Sequence, residues 1–551
     1  MKKILAFVFI IIFGTSAFAA KSKSNFEISK NLDIYNSVFQ QLYLNYVDTL
    51  NAEKIIRLSI DEMLNKLDPY TVYMPESEQE GFKQMITGEY GGVGAIIAQR
   101  KKQFIIAELY EGMPADKAGV KVGDVILDID GQKIDDTIPD VGSLLRGVPK
   151  TTVKVTLQRE GEKKPLLKEI RREQIKINPV LYSGVIGDSI GYINLSGFTR
   201  NNTASEVRKA LLDLKKNHHI RSLVFDLRNN PGGDLEEAIE VCNLFLPRGV
   251  EVLSTKGKNR QDNKKFLTTR EPVDSSIPLI VLVNGGSASA SEVVAGALQD
   301  LDRAVIVGSR TFGKGLVQST PRVSYNGLLK ITTAHYYTPS GRCVQAIDYV
   351  HRNKDGSAVA IPDSLTKEFR TAGGRIVRDG GGIKPDIEIK TPEELNITYR
   401  LLADWWIFNY ATIYCQKQHE IVPVADFALT DADFENFKKY LKENDFSYSL
   451  RSAEILQNLK QAVKIEGYSD RASEALETLK TALQPDTDKD LDFFKKDIVD
   501  MLSTEIAKRL YYQKGEVIEG LKHDEAAQKA MEVLQNKEEY QLILSPKLSE
   551  P

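Results

Sequence analysis

The chain has 551 residues, 42% of them hydrophobic, with 73 basic and 76 acidic side chains and a net charge of −3. This length accommodates three or four domains with sizeable cores, and the near-neutral balance argues against nucleic acid as a main partner. Cys242, Cys343 and Cys415 are too few for a disulfide framework, although one bridge stays open, and no C-x-x-C or H-E-x-x-H spacing occurs, so neither metal nor cofactor is expected.

Met1-Lys2-Lys3 is a basic start, residues 4–13 are apolar but short for a bilayer, and Ala17-Phe18-Ala19 supplies small residues at a cleavage point. Residues 1–19 therefore read as a signal peptide cut before Ala20, with an uncleaved anchor as the alternative. No cysteine lies near the cut, which speaks against a lipid anchor. The mature chain is expected to be exported and soluble, in the periplasm where a cell has an outer membrane. Beyond it, Leu32, Tyr35, Phe39, Leu42 and Tyr43 recur at helical spacing and residues 55–64 continue the pattern. Residues 28–84 read as a helical domain for packing or dimerisation.

Residues 85–175 change character. Gly91-Gly92-Val93-Gly94-Ala95 opens a strand, residues 113–120 give a short helix, and Gly123-Asp124-Val125-Ile126-Leu127-Asp128-Ile129-Asp130-Gly131 gives another strand. A second helix starts over 141–145 and a last strand runs over 152–158. This order resembles a PDZ domain. Such a groove takes a chain end as an added strand and holds its carboxylate with backbone N–H groups, a role that fits Gly92, Val93, Gly94 and Ala95. A PDZ unit that only packs against its neighbour is the alternative. Arg146 ends the second helix, where it could bridge to Gln318 and report occupancy; a solvated helix-end arginine is the plainer reading.

Residues 180–392 alternate strands at 190–195, 223–227, 279–283, 304–307 and 328–337 with helices at 204–214, 235–246 and 292–298, the pattern of an α/β domain with a mostly parallel sheet. Three turns carry its chemistry. Asn284-Gly285-Gly286-Ser287-Ala288-Ser289-Ala290-Ser291-Glu292 leads from an apolar strand into a helix. Ser289 is the candidate nucleophile there, yet Ser289-x-x-Glu292 also fits a capping box, and Ser287 or Ser291 would cap equally well. None of His218, His219, His335, His351, His419 and His523 stands in a triad-like context, and only His335 is kept in reserve as a base. Lys314, in Thr311-Phe312-Gly313-Lys314-Gly315-Leu316-Val317-Gln318, is the other candidate base; desolvation would have to bring its amine from ~10.4 towards neutrality. In Arg228-Asn229-Asn230-Pro231-Gly232-Gly233-Asp234, Gly232 and Gly233 allow backbone N–H groups to face an anion and, with the Ala290 N–H, to form an oxyanion hole. An ordinary turn into a helix is the alternative.

Taken in this order and spacing, the three turns resemble the C-terminal processing, or tail-specific, proteases, PDZ-containing serine peptidases with a Ser–Lys dyad. The resemblance covers about residues 35–390 and includes Asp68-Pro69-Tyr70, residues 337–342 and residues 379–386. It implies a crotonase-like α/β core with an inserted PDZ domain, Ser289 as nucleophile, Lys314 as general base, Gln318 as the residue orienting that lysine, and oxyanion donors at Ala290 and at Gly232 or Gly233. Past residue 392 it thins. Residues 393–551 read as a charged helical domain, with Thr430-x-x-Asp433 capping a run through Phe434, Phe437, Tyr440 and Leu441 and a linker at 485–490. A structural brace or an oligomer or adaptor contact is expected of it. The whole reads as an exported serine endopeptidase acting on unfolded or C-terminally exposed proteins. A PDZ scaffold with a degenerate core and a Ser–His esterase are the rivals.

Overall fold

In the computed structural model of the protein, the described residues are 25–353, 356–390, 397–417 and 422–545. The expected signal peptide, His419 and the expected domain junction at 392–393 lie outside them. The chain forms two compact units, one with residues up to Glu76 plus Gln318–Ile331, the other with Ser77–Val317 and the chain from Thr332 onward.

The first unit contains a helix over residues 25–45, the helix Ala52–Asn65 and the strand Val72–Met74. Asn51 starts the second helix by accepting the Lys54 N–H at 2.9 Å. Asp68 closes the turn after it, accepting the N–H groups of Tyr70 and Thr71, each at 2.8 Å. That turn directs Val72–Met74 into antiparallel pairing with residues 328–330. The periodic residues Leu32, Leu42 and Tyr43 do lie on a helix, but they remain largely exposed.

In the second unit, an antiparallel sheet has the order Ala95–Arg100, Gln103–Leu109, Val125–Ile129, Thr152–Gln158, Leu166–Arg171. Thr152–Gln158 alternates as a half-buried strand should, with Val153, Val155 and Leu157 inward. The sheet continues past the strand expected to be last. Leu166–Arg171 forms its edge, and Glu173–Lys176 pairs with Glu89–Gly92 in a separate ribbon. These charged segments carry too weak an apolar signal to be read as strands from sequence.

The central sheet has the order Val180–Ile186, Ile190–Leu195, Ser222–Asp226, Leu279–Val283, Val305–Gly308, Ile387–Glu388. Its first pair is a hairpin and the rest are parallel. Ser222–Asp226 and Leu279–Val283 are buried along their whole length, as parallel strands covered on both faces must be. Thr203–Asn217, Leu235–Cys242 and Ala290–Asp300 contribute to the core on one face. On the other face, Ala526, Ala527, Ala530, Val533 and Leu534 of the helix Glu525–Gln535 pack against Tyr192, Val224, Ile280, Leu282, Val305 and Val307. The C-terminal helices thus supply half of the cover this sheet needs. Leu328–Tyr337 does not join it. Its partly buried residues belong to a second, antiparallel sheet, where residues 334–337 pair with Glu251–Gly257.

Thr430 and Asp433 form the expected box, the Asp433 carboxylate accepting the Thr430 N–H at 2.8 Å, with Phe434, Phe437 and Leu441 buried. The expected linker at 485–490 is instead mostly helical: Asp486 caps Thr487–Phe493 by accepting the Lys489 N–H at 3.2 Å. Pro485 ends a charged stretch, but an aspartate beyond it starts the chain again.

Candidate active site

The three chemistry-bearing turns leave the C-terminal ends of neighbouring parallel strands, where open α/β sheets place their ligands. Residues 228–233 follow Ser222–Asp226. Asn229 stands at a φ of 56° and is tied to the next turn by a reciprocal pair: its N–H donates to Asn284 Oδ1, and Asn284 Nδ2 donates to its Oδ1, both at 2.9 Å. Asn230 is fully buried. Its amide donates to the Leu195 carbonyl and its Oδ1 accepts the Gly232 N–H, each at 2.9 Å. Gly232 has a φ of 97°, and a Cβ there would stand 2.6 Å from the Ala288 carbonyl and 2.8 Å from the Ala290 nitrogen. Only glycine lets this turn lie so close to the serine turn.

The serine turn separates its three hydroxyls by task. Ser287 Oγ donates to the Leu227 carbonyl at 2.8 Å and accepts the Asn284 N–H at 3.0 Å. Ser291 Oγ donates to the Asn230 carbonyl at 2.8 Å. Both are fully buried braces between the two turns. Ser289 is half-buried at the N-terminus of Ala290–Asp300, with φ 56° and ψ −111°, a sparsely populated conformation for a residue with a Cβ. Its carbonyl accepts the Val293 N–H at 2.9 Å and the Tyr336 hydroxyl at 3.3 Å.

Glu292 joins this turn to the lysine loop. Its carboxylate is completely buried and each oxygen has two donors. Oε1 accepts the Thr311 hydroxyl at 2.6 Å and the Gly313 N–H at 2.7 Å. Oε2 accepts the Lys314 N–H at 2.8 Å and the Ser289 N–H at 2.9 Å. Burial pushes this carboxyl above the ordinary glutamate range against the pull of the four hydrogen bonds. Sequence reading saw Glu292 only as a capping partner. The capping spacing is local, but the other three donors come from residues 19 to 22 positions away, where no local pattern points. Gly313, with a φ of 85°, is required by close approach: a Cβ would stand 2.3 Å from that of Ala346.

Ser289, Ala290, Gly232, Gly233 and Lys314 are thus brought to one end of the sheet. Of the two glycines, Gly232 already donates its N–H to Asn230 and serves close packing, which leaves Gly233 as the candidate donor. Gln318, on Leu316–Ser319, belongs to the other compact unit. His335 is exposed, on the opposite side of its strand from buried Tyr336, whose hydroxyl reaches the Ser289 carbonyl.

A cleft of about 410 Å³ lies between the edge strand Ala95–Arg100 and the helix Val141–Leu145, its apolar wall including Val93, Ile97, Phe104, Val141 and Leu145. Val93 and Ala95 line it, while Gly92 and Gly94 shape the loop before it; the Val93 carbonyl accepts the Ala115 N–H at 2.8 Å. Arg146 stands at the cleft with its guanidinium on Asp140 at 2.5 Å and Gln84 at 3.5 Å.

Residues 189–353 match the model of peptidase family S41, residues 105–159 a PDZ domain, and residues 397–534 the C-terminal helical domain of probable PDZ-proteases. A carboxy-terminal-processing protease of Bartonella bacilliformis is 39% identical over 58% of this chain and 73% of that protein. A probable CtpA-like serine protease of Staphylococcus aureus is 33% identical over 67% of each. A solved photosystem II D1 C-terminal processing protease is 28% identical, covering 64% of this chain and 85% of that one with a TM-score of 0.37. The chain belongs to peptidase family S41, as a PDZ-containing serine peptidase of the C-terminal processing type.

Proposed function

We propose that this protein is an exported endopeptidase that cuts tail-bearing proteins with Ser289 as nucleophile and Lys314 as general base. One observation carries the assignment. Ser289 alone of the three serines is not a brace between turns, and its strained backbone is tied through one Glu292 oxygen to the backbone of Lys314. Strain of this kind persists where the surrounding structure over-determines it, and it clusters at functional sites.

In the proposed reaction the neutral Lys314 amine takes the Ser289 hydroxyl proton as Oγ bonds to the scissile carbonyl carbon. Negative charge passes to the carbonyl oxygen. The Ala290 N–H, at a helix N-terminus, and the Gly233 N–H are its donors in this reading. The C–N bond then breaks, and the leaving amine takes the proton from the Lys314 ammonium. Water then loses a proton to the Lys314 amine as it attacks the acyl carbon; the bond from that carbon to Oγ breaks, and the Lys314 ammonium returns the proton to Ser289. Gln318 orients Lys314 in this scheme. Residues 1–19 direct export to the periplasm, with a mature chain starting at Ala20 as the signature.

The PDZ cleft supports the substrate reading. Ala95–Arg100 is an edge strand, so a chain end can extend its sheet and place alternate side chains against the apolar wall. Unfolded proteins with exposed apolar C-termini are the substrates this favours. Arg146 is proposed to report occupancy. With Arg146→Ala, the preference for tail-bearing over tail-less substrate is expected to fall; an unchanged preference removes Arg146 from the scheme.

The base is tested by pairing two substitutions. Lys314→Met is expected to lower kcat on an unfolded tail-bearing protein by about 10²- to 10⁴-fold, the usual contribution of a general base. His335→Ala is expected to keep wild-type turnover, because its side chain faces away from the Tyr336 side. The reverse pattern would point to a Ser–His hydrolase.

A further inference from the structure

The turn that carries the Gly233 N–H is held from one more direction, by a residue almost 300 positions away. Arg228 stands directly before Asn229. Its Nε reaches both Asp226 oxygens at 3.0 Å, and its Nη2 donates to Asp226 Oδ2 at 2.6 Å. The outer edge of the same guanidinium is gripped by Asp524, with Nη1 to Oδ1 at 2.9 Å and Nη2 to Oδ2 at 2.5 Å. Asp226 is itself fixed from behind by the Tyr192 hydroxyl at 2.5 Å and takes the Arg228 N–H at 2.9 Å. Two carboxylates therefore grip one planar cation, and a phenol holds the nearer of them, with the Asp226 side chain 2% and the Asp524 side chain 14% exposed. Fork-to-fork pairing of this kind fixes direction as well as distance.

Asp524 is in turn rigidly placed. It caps Glu525–Gln535, accepting the Ala527 N–H at 3.1 Å, and that helix is seated on the central sheet through its alanine face. Upstream, the helix Lys495–Leu521 breaks at Tyr512, with φ 59° and ψ −156°. At the break Tyr512 donates to Asp116 at 2.7 Å, and Gln513 donates to Glu108 at 2.6 Å and to the Leu109 carbonyl at 3.0 Å. One continuous C-terminal segment thus grips the PDZ sheet and then the start of the Gly-Gly turn.

We propose that Asp524 is a positioning residue for peptide hydrolysis: it holds the Arg228 guanidinium, and with it the backbone from which the Gly233 oxyanion donor projects. The C-terminal helical domain is then part of the catalytic apparatus as well as cover for the core. This rests on the reading of Ser289 and Gly233 given above. The energetic reason is geometric. An oxyanion donor acts only when preorganised on the developing charge, and a misplacement of about 1 Å costs on the order of 10²-fold. Asp226, two residues from Arg228, holds the guanidinium from its own turn; Asp524 anchors it to a different layer.

The test uses the full chain. Asp524→Asn keeps the shape and still caps a helix, so it removes the charge-assisted grip alone. It is expected to lower kcat on an unfolded tail-bearing protein by ten- to a hundredfold. KM, peptide binding to the PDZ domain and the thermal midpoint should stay at wild-type values. Arg228→Lys is expected to behave alike, and the double variant to be no worse than the worse single, as for two members of one linkage. Should Asp524→Asn fold poorly, Asp524→Ser, which also caps, is read in the same way. The proposal is overturned if kcat stays within twofold of wild type, if kcat falls only with the folded fraction, or if the two losses multiply. Ser289→Ala run alongside separates the two claims. Cleavage surviving in Ser289→Ala sinks the dyad reading; an inactive Ser289→Ala with a fully active Asp524→Asn sinks this one alone.

Discussion

Ser289→Ala should abolish cleavage of an unfolded tail-bearing protein, with kcat falling roughly 10⁴- to 10⁶-fold, the range expected when a nucleophile acting as part of a unit is removed. Lys314, the proposed oxyanion donors and the PDZ cleft all remain in that variant, so little but background hydrolysis should persist. Folding should survive. The position is half-buried, and losing a capping hydroxyl costs about 1 kcal/mol. Peptide binding at the PDZ cleft should be unchanged, which makes the variant a substrate trap. Ser287→Ala and Ser291→Ala should behave differently, because each removes a buried hydrogen bond that ties one turn to the other, and its first effect is on stability. The measurement is a timed digest with a thermal melt on each variant. Equal cleavage by wild type and Ser289→Ala would show that Ser289 is not the nucleophile, whereas no cleavage by either would leave the protein as a PDZ scaffold on a peptidase fold.

The second large effect is expected at Glu292. Glu292→Ala leaves three backbone N–H groups and the Thr311 hydroxyl without their acceptor in a site closed to solvent. Unfolding free energy should fall by roughly 3–5 kcal/mol, in the tail reserved for broken buried networks. Activity should be lost as well, since the same carboxylate fixes the backbone of Ser289 and of Lys314. Glu292→Gln should be nearly as damaging. Each oxygen already accepts two donors, so whichever one becomes NH₂ sets donor against donor. A chemical denaturation series read beside peptidase activity checks this. A Glu292→Gln variant with wild-type stability and turnover would show that the four-donor arrangement does not hold the site.

Much of the candidate site is legible in the sequence because its signals are local. Small residues at strand ends, Pro231-Gly232-Gly233 and Gly313-Lys314-Gly315 mark turns by chemistry that depends on near neighbours only. The Thr430 and Asp433 box is equally local and forms as read. What stayed hidden depends on partners far along the chain. Ser287 and Ser291 could not be told from Ser289 until their hydroxyls met carbonyls some 60 residues away. Glu292 looked like a cap because only its nearer donor lies in reach of a sequence window. The sequence of Leu328–Tyr337 marks a strand but not the sheet it joins, since sheet membership is a tertiary choice that alternation does not encode. Asp524 carries no motif at all; its meaning comes from the guanidinium opposite.

The alanine face of Glu525–Gln535 also bears on how the molecule is made. The parallel strands it covers are complete by Gly308, yet their second cover arrives more than two hundred residues later. At about 5–20 residues per second, that interval lasts roughly ten to forty seconds of synthesis. Throughout it Val224, Ile280, Leu282, Val305 and Val307 lack their apolar partner, a state prone to association and poor in cooperativity. The central sheet therefore closes late. A nascent chain in which Ser289 and Lys314 are already made still lacks the layer that covers the second face of its sheet.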